Sequence, residues 1–178
     1  MTTRRPGLVT DDGTPVTLLG RPVAVGDAAP DFHCIVQEPG AWTFRDVGID
    51  DAAGRLRLYS VVPSLDTPVC SRQTQRFDAE VAAFGDAVAA YAVSVDTPYA
   101  AVRFCRGKEI GRLTALSDYR PERSFGHAWG VLVEESGELC RAVFLVDGDG
   151  VVAHAEITPE IGDHPDYEAA LAAIKARL

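Results

Sequence analysis

Apolar positions along this chain change their period several times, and each change marks an element. Leu56-Arg57-Leu58-Tyr59-Ser60-Val61-Val62 is a nearly continuous apolar run closed by Pro63 and Ser64, the pattern of a buried strand. Beyond it, over residues 71–84, Phe77, Val81 and Phe84 recur at helical spacing. Residues 88–95 are again almost wholly apolar and predict a strand buried on both faces. Asp96-Thr97-Pro98 then opens a second helix over 99–106, and 113–116 predicts a further short strand. Residues 125–129 suggest a helical turn. Two strands, Ala142–Val146 and 151–157, flank Asp147-Gly148-Asp149-Gly150 as a hairpin. Residues 167–178 place Leu171, Ile174 and Leu178 on one face of a closing amphipathic helix.

The amino-terminal stretch is less regular. Residues 1–12 read as a flexible tail. Val16-Thr17-Leu18-Leu19 and Val23-Ala24-Val25, separated by Gly20-Arg21-Pro22, read as a small hairpin. A turn over 26–30 and a short strand over 32–36 follow. Strands alternating with helices and ending in a hairpin and a helix predict an α/β sandwich, a single domain over residues 13–178.

Composition narrows the classes of partner. At 178 residues the chain can bury an ordinary core without disulfide staples. Its 17 basic and 26 acidic residues leave a net charge of −9, which repels phosphate backbones and anionic lipids. Neither nucleic acid nor a membrane is therefore expected as a partner. The basic start, Arg4-Arg5, is followed by Thr10-Asp11-Asp12-Gly13 rather than an apolar signal core, and no stretch approaches the length of a membrane span. A cytoplasmic address, where thiols stay reduced, is the expectation. The cysteines at 34, 70, 105 and 140 are almost evenly spaced, but their flanks share nothing and no C-x-x-C pair occurs. His33, His127, His154 and His164 have no metal-ligand spacing, and 147–150 lacks the later residues of a calcium loop.

One cysteine stands out. In Thr67-Pro68-Val69-Cys70 the threonine suits an N-cap and the proline the first helical position. Cys70 then lies in the first turn, where free backbone N–H groups and the helix dipole stabilise an anion. The thiolate is the nucleophilic form of cysteine. On local pattern alone, a small buried apolar residue is an equally good reading.

The segment Pro63-Ser64-Leu65-Asp66-Thr67-Pro68-Val69-Cys70 resembles the active-site loop of peroxiredoxins, most closely the thiol peroxidase branch of atypical two-cysteine enzymes. Further similarity lies at Pro15-Val16-Thr17-Leu18, at 26–32, and at Pro165-Asp166-Tyr167-Glu168-Ala169-Ala170-Leu171, so that it spans roughly nine-tenths of the chain. The resemblance implies a thioredoxin-like fold, the peroxiredoxin variant, with an N-terminal β-hairpin extension. It makes Cys70 the peroxidatic cysteine, Thr67 a holder of peroxide and thiolate, and Pro63 a shield against water. Arg141, which by itself reads as a solvated charge at a strand edge, matches the family's active-site arginine in Arg-Ala-Val. Cys105, a core residue on its own, resembles the resolving cysteine in Arg103-Phe104-Cys105. Cys34 reads as core, Cys140, directly before Arg141, as facing away from the active site if the strand alternates, and Trp129, where the branch more usually has tyrosine, as a change of packing or of the dimer surface. The implied activity is reduction of hydrogen peroxide and organic hydroperoxides through a Cys70 sulfenic acid and a Cys70–Cys105 disulfide. A thioredoxin-like reductant would recycle it, a homodimer is implied, and no metal, haem or flavin is called for. Two rivals stay open at this point: a peroxide-responsive sensor using the same cysteines, and a thioredoxin-fold binding module with inert ones.

Overall fold

The computed structural model describes residues 2–37 and 42–178. Along the chain run β1 (Arg4–Asp11), β2 (Thr14–Leu19), β3 (Cys34–Gln37), β4 (Phe44–Val47), β5 (Leu56–Val61) and α1 (Pro68–Val81). There follow β6 (Val88–Ser94), α2 (Pro98–Gly107), β7 (Leu113–Ser117), α3 (Ser124–Ala128), β8 (Leu132–Val133), β9 (Ala142–Val146), β10 (Val152–Ile157) and α4 (Tyr167–Lys175). The larger sheet has the order β10-β9-β5-β6-β7-β3-β4, and a smaller one joins β1, β2 and β8. β5, β6 and β7 are parallel, and β9 runs antiparallel to β5 with Val61 opposite Ala142.

Period-two alternation in the central strands separates two apolar layers. Leu58 of β5, Ala90 and Ala92 of β6, and Val143 and Leu145 of β9 face α1, α2 and α4, meeting Phe77, Phe104 and Ile174. Tyr59, Val61, Val93 and Phe144 point the other way, toward α3 and the smaller sheet, meeting Phe125, Trp129, Val16 and Leu18. Truncating a fully buried aromatic such as Phe77 to alanine costs about 3–5 kcal/mol in such a setting. Trp129 is completely buried, stacked on Phe125 at 5.1 Å and packed against Tyr59 and Phe144, so its size serves packing and not the surface.

The expected α/β sandwich is present, and four expectations are corrected. Of the supposed tail, residues 4–11 form β1, held by pairing with β2 across the turn Asp12-Gly13, while Met1 lies outside the described residues. Both turn residues have positive φ, +48° and +75°, which suits Asp-Gly in a tight hairpin. The amino-terminal hairpin is therefore β1–β2, and Val23-Ala24-Val25 is not a strand. α1 ends at Val81 rather than Phe84. The chain goes on into a 3-10 segment broken at Gly85, whose φ of +54° and ψ of −138° no helix accommodates. Leu178 is exposed and takes no part in the buried face of α4. β4 and β8 escaped the sequence pattern because β4 is an edge strand with Phe44, Arg45 and Asp46 exposed and β8 is two residues long.

Candidate active site

Pro68 opens α1 as its first residue, following the extended backbone of Thr67. The first intrahelical bond runs from the Ser71 amide to the Thr67 carbonyl at 2.9 Å, leaving the amides of Val69 and Cys70 without a helical acceptor. Thr67 occupies the N-cap position but does not cap with its side chain. Its hydroxyl instead donates to the Ser64 carbonyl at 3.1 Å, which orients the oxygen lone pairs away from the loop backbone. The turn itself is anchored by Asp96 at the end of β6. That carboxylate accepts from Ser64 Oγ at 2.9 Å, from the Leu65 amide at 2.7 Å and from Ser94 Oγ at 2.8 Å.

Cys70 is wholly buried, and a cation reaches it. Arg141, only 2% exposed, donates from Nη2 to Cys70 Sγ at 3.5 Å, from Nη1 to Gln73 Oε1 at 2.6 Å and from Nε to the Ile161 carbonyl at 2.8 Å. The solvated strand-edge reading of Arg141 is therefore wrong. The β5–β9 register, with Val61 opposite Ala142, brings the residue before β9 beside the loop that follows β5. Burying a guanidinium is costly unless its donors are satisfied, and here each arm has an acceptor. Cys140, one position earlier, faces the opposite layer together with Cys34. Burial pushes the Cys140 thiol up to about 12 and the Cys34 thiol well above its ordinary range.

Above this centre lies a cavity of about 250 Å³ whose wall includes Pro63, Thr67, Val69, Arg141, Ile161 and Gly162. Pro63, Thr67 and Arg141 thus meet at one opening, which the buried Cys70 reaches through Arg141. Cys105 does not join them. It lines a separate, larger cavity of about 490 Å³ with Pro98, Val102, Ile110 and Leu113. Its thiol is pushed up to about 11, mainly by burial and also by the Asp78 carboxylate. All four cysteines are free. An ion pair, Arg103 Nη2 to Asp66 Oδ2 at 2.9 Å, spans from α2 to the loop ahead of Cys70.

The sequence reading missed Gln73. It is fully buried, donates from Nε2 to Ser60 Oγ at 2.8 Å, and receives Arg141 at its carbonyl oxygen. Its spacing of three residues from Cys70 was the available signal, since that places both on one face of α1.

Such an arrangement can stabilise negative charge on a buried sulfur and on an oxygen atom leaving beside it. The redoxin family model matches residues 24–171. A thiol peroxidase from Halalkalibacterium halodurans is 44% identical over 96% of this chain and 98% of its own length. One from Bacillus subtilis is 42% identical over 94% and 96%. Among solved structures, a peroxiredoxin-like protein from Aquifex aeolicus superposes with a TM-score of 0.84 at 35% identity, covering 99% of both chains. The fold, the buried thiol–guanidinium pair and these likenesses converge: the chain belongs to the redoxin family, within its thiol peroxidase branch.

Proposed function

We propose that this thiol peroxidase reduces hydrogen peroxide and organic hydroperoxides at Cys70, resolves through Cys105 and is recycled by a thioredoxin-like dithiol protein. The observation that carries the reading is the Arg141 guanidinium 3.5 Å from Cys70 Sγ beneath a cavity walled by Pro63 and Thr67. In the first step the Cys70 thiolate attacks one peroxide oxygen. An S–O bond forms, the O–O bond breaks, and the leaving alkoxide or hydroxide takes a proton to depart as alcohol or water. Arg141 stabilises both the thiolate and the charge growing on the leaving oxygen, because a guanidinium supplies a fixed positive charge and several donors. Thr67 Oγ1, its proton engaged by Ser64, accepts from the peroxide O–H and holds that oxygen against the sulfur, so that the R-bearing oxygen (or the second hydroxyl of hydrogen peroxide) is the one that leaves. Pro63 keeps bulk water from the sulfur.

The second step joins Cys105 sulfur to the sulfenic sulfur and releases water, the thiol proton combining with the departing hydroxyl. A disulfide needs Cα atoms within about 7 Å. Since the two cysteines sit in different helices and Cys105 lines a cavity apart from the one beside Cys70, the first turn of α1 and the last turn of α2 unwind for closure. Unwinding also exposes Cys105 to water and returns its thiol toward an ordinary range, so resolution is coupled to opening. An external dithiol then reduces the bridge, which requires a compartment rich in such reductants, the cytoplasm.

A homodimer fits the exposed aromatic cluster Trp42, Phe44 and Tyr99, in which ring centroids lie 6.1 and 5.3 Å apart. Tyr99 is one helical turn from Arg103, the partner of Asp66, so this patch borders the active-site loop.

The test is peptide mapping of the reduced protein after one equivalent of peroxide. Cys70 bridged to Cys105 is expected; Cys70 bridged only to Cys34 or Cys140 refutes the assignment.

A further inference from the structure

Arg141 is aimed by acceptors at both ends of its guanidinium, and one of them belongs to neither a helix nor the larger sheet. Gln73 is fixed by α1 and by Ser60. Ile161, whose carbonyl takes the Nε bond, lies in the segment 158–166 between β10 and α4. Thr158, at the start of that segment, is held to the Arg141 carbonyl, and the stretch around Ile161 is held by the amino-terminal hairpin. The Thr10 amide donates to the Pro159 carbonyl at 2.8 Å and the Ile161 amide donates to the Thr10 carbonyl at 2.9 Å.

Between these backbone bonds sits Glu160, whose carboxylate gathers four donors. Oε2 accepts from Thr10 Oγ1 at 2.7 Å and the Gly13 amide at 3.1 Å. Oε1 accepts from the Gly162 amide at 2.9 Å and the Asp12 amide at 3.1 Å. The Asp12-Gly13 turn, with both residues at positive φ, turns its two amides onto this one group. The amides and the threonine hydroxyl hold the Glu160 carboxyl down at about 2, so the clip is charged at every physiological pH. Glu160 itself does not line the active-site cavity, whereas its neighbours Ile161 and Gly162 do.

We propose that Glu160 is a positioning residue for peroxide cleavage: it clips the turn of the amino-terminal hairpin to the segment bearing the Ile161 carbonyl, and so holds Arg141 against Cys70. The hairpin extension, more than a hundred residues away in sequence from the elements it grips, is on this view part of the catalytic apparatus. The inference rests on the reading of Arg141 as the cation serving Cys70. A guanidinium that loses one fixed acceptor gains freedom to swing, and small misplacements of a charge at a reacting centre lower rates steeply.

The experiment measures Cys70 oxidation by hydrogen peroxide in stopped flow, and the pH profile of Cys70 alkylation by iodoacetamide. Wild type, Glu160→Gln, Arg141→Met and the double variant are compared. Glu160→Gln keeps the size of the side chain but replaces one of the two acceptor oxygens with an NH₂ group. It should oxidise about tenfold more slowly, with its alkylation profile displaced to higher pH. In the Arg141→Met background the same change should alter the rate by less than about twofold, because its effect passes through the missing guanidinium. Thr10→Val, which removes a single donor from the carboxylate, gives a smaller loss of the same kind and serves if Glu160→Gln does not fold.

Wild-type rate and profile in folded Glu160→Gln, alongside a slow Arg141→Met, overturn the proposal and leave the site intact. An equal slowing by Glu160→Gln with and without Arg141 also overturns it, since the clip then acts on stability alone. A wild-type rate in Arg141→Met overturns the reading of the centre, and the proposal with it.

Discussion

Cys70 and Cys105 sit on neighbouring helices, and their surroundings are opposite in a way that exposure alone would misjudge. Cys70 is fully buried, yet it faces a guanidinium and the free amides of a helix start. Cys105 is only half-buried, yet burial, helped by the Asp78 carboxylate, pushes its thiol up to about 11. Burial removes water from both sulfurs. Only at Cys70 does the protein replace that water with fixed positive charge, which favours an anion far more in a dry site than in solvent. On the proposed assignment, the folded state sets fixed positive charge beside the attacking sulfur and keeps the Cys105 thiol protonated until the helices open. If Cys105 resolves as proposed, holding its thiol in reserve separates the two steps of the cycle in time.

The sharpest way to break this comparison is to remove each sulfur in turn. Cys70→Ser should lower peroxide consumption by more than about a thousandfold. Cys105→Ser should leave the first oxidation of Cys70 within about twofold of wild type while abolishing turnover with a dithiol reductant. A first step equally slow in both variants, read by stopped-flow fluorescence, would show that the two sulfurs are not specialised.

A smaller effect concerns protons. With Cys105 near 11 in the folded chain and an ordinary thiol at 9.0, its thiolate fraction at pH 8 falls about a hundredfold on folding. Alkylation of Cys105 in native reduced protein at pH 8 should lag that in urea-unfolded protein by a similar factor, as mass spectrometry of each peptide would reveal. The sign for stability follows from which state holds the proton more tightly. The folded chain does, so this thiol's contribution is complete below pH 9 and is lost as pH rises to about 11. Equal labelling rates in the two states would remove the basis for a resolving thiol held in reserve.

The smallest effect tests what joins the two regions. Arg103 and Asp66 form an exposed ion pair between α2 and the active-site loop, a class of contact that contributes at most about 1 kcal/mol. Arg103→Ala should therefore hasten disulfide closure by no more than about fivefold, and the difference should fade in 1 M salt. Slower closure would mean that the pair guides the approach of the helices instead of restraining their opening.

Much of this molecule was legible before any folding. The apolar run at 56–62, the Thr-Pro starts at 67–68 and 97–98, and the Asp-Gly hairpin at 147–150 are local signals, written in residues that touch within a few positions of one another. The resemblance of 63–70 to a peroxiredoxin loop pointed to Cys70 as the nucleophile, and the match of Arg141-Ala142-Val143 pointed to Arg141 as its cation. Local pattern is silent, however, on contacts across long separations. Arg141 alone looks like a surface charge, and becomes a buried one because β9 pairs with β5 in a register that delivers it to the Cys70 loop. Gln73 shares a helix face with Cys70, but its acceptor role exists only once Arg141 arrives. The amino-terminal residues, polar and glycine-containing, read as a tail because the partners that order them, β2 and the segment 159–162, lie elsewhere in the chain. Sequence by itself determined the central strands, the two Thr-Pro helix starts and the candidate chemistry they carry. Tertiary structure decided which sulfur meets the charge, because sheet register and burial, and not local periodicity, set the distance between groups seventy residues apart.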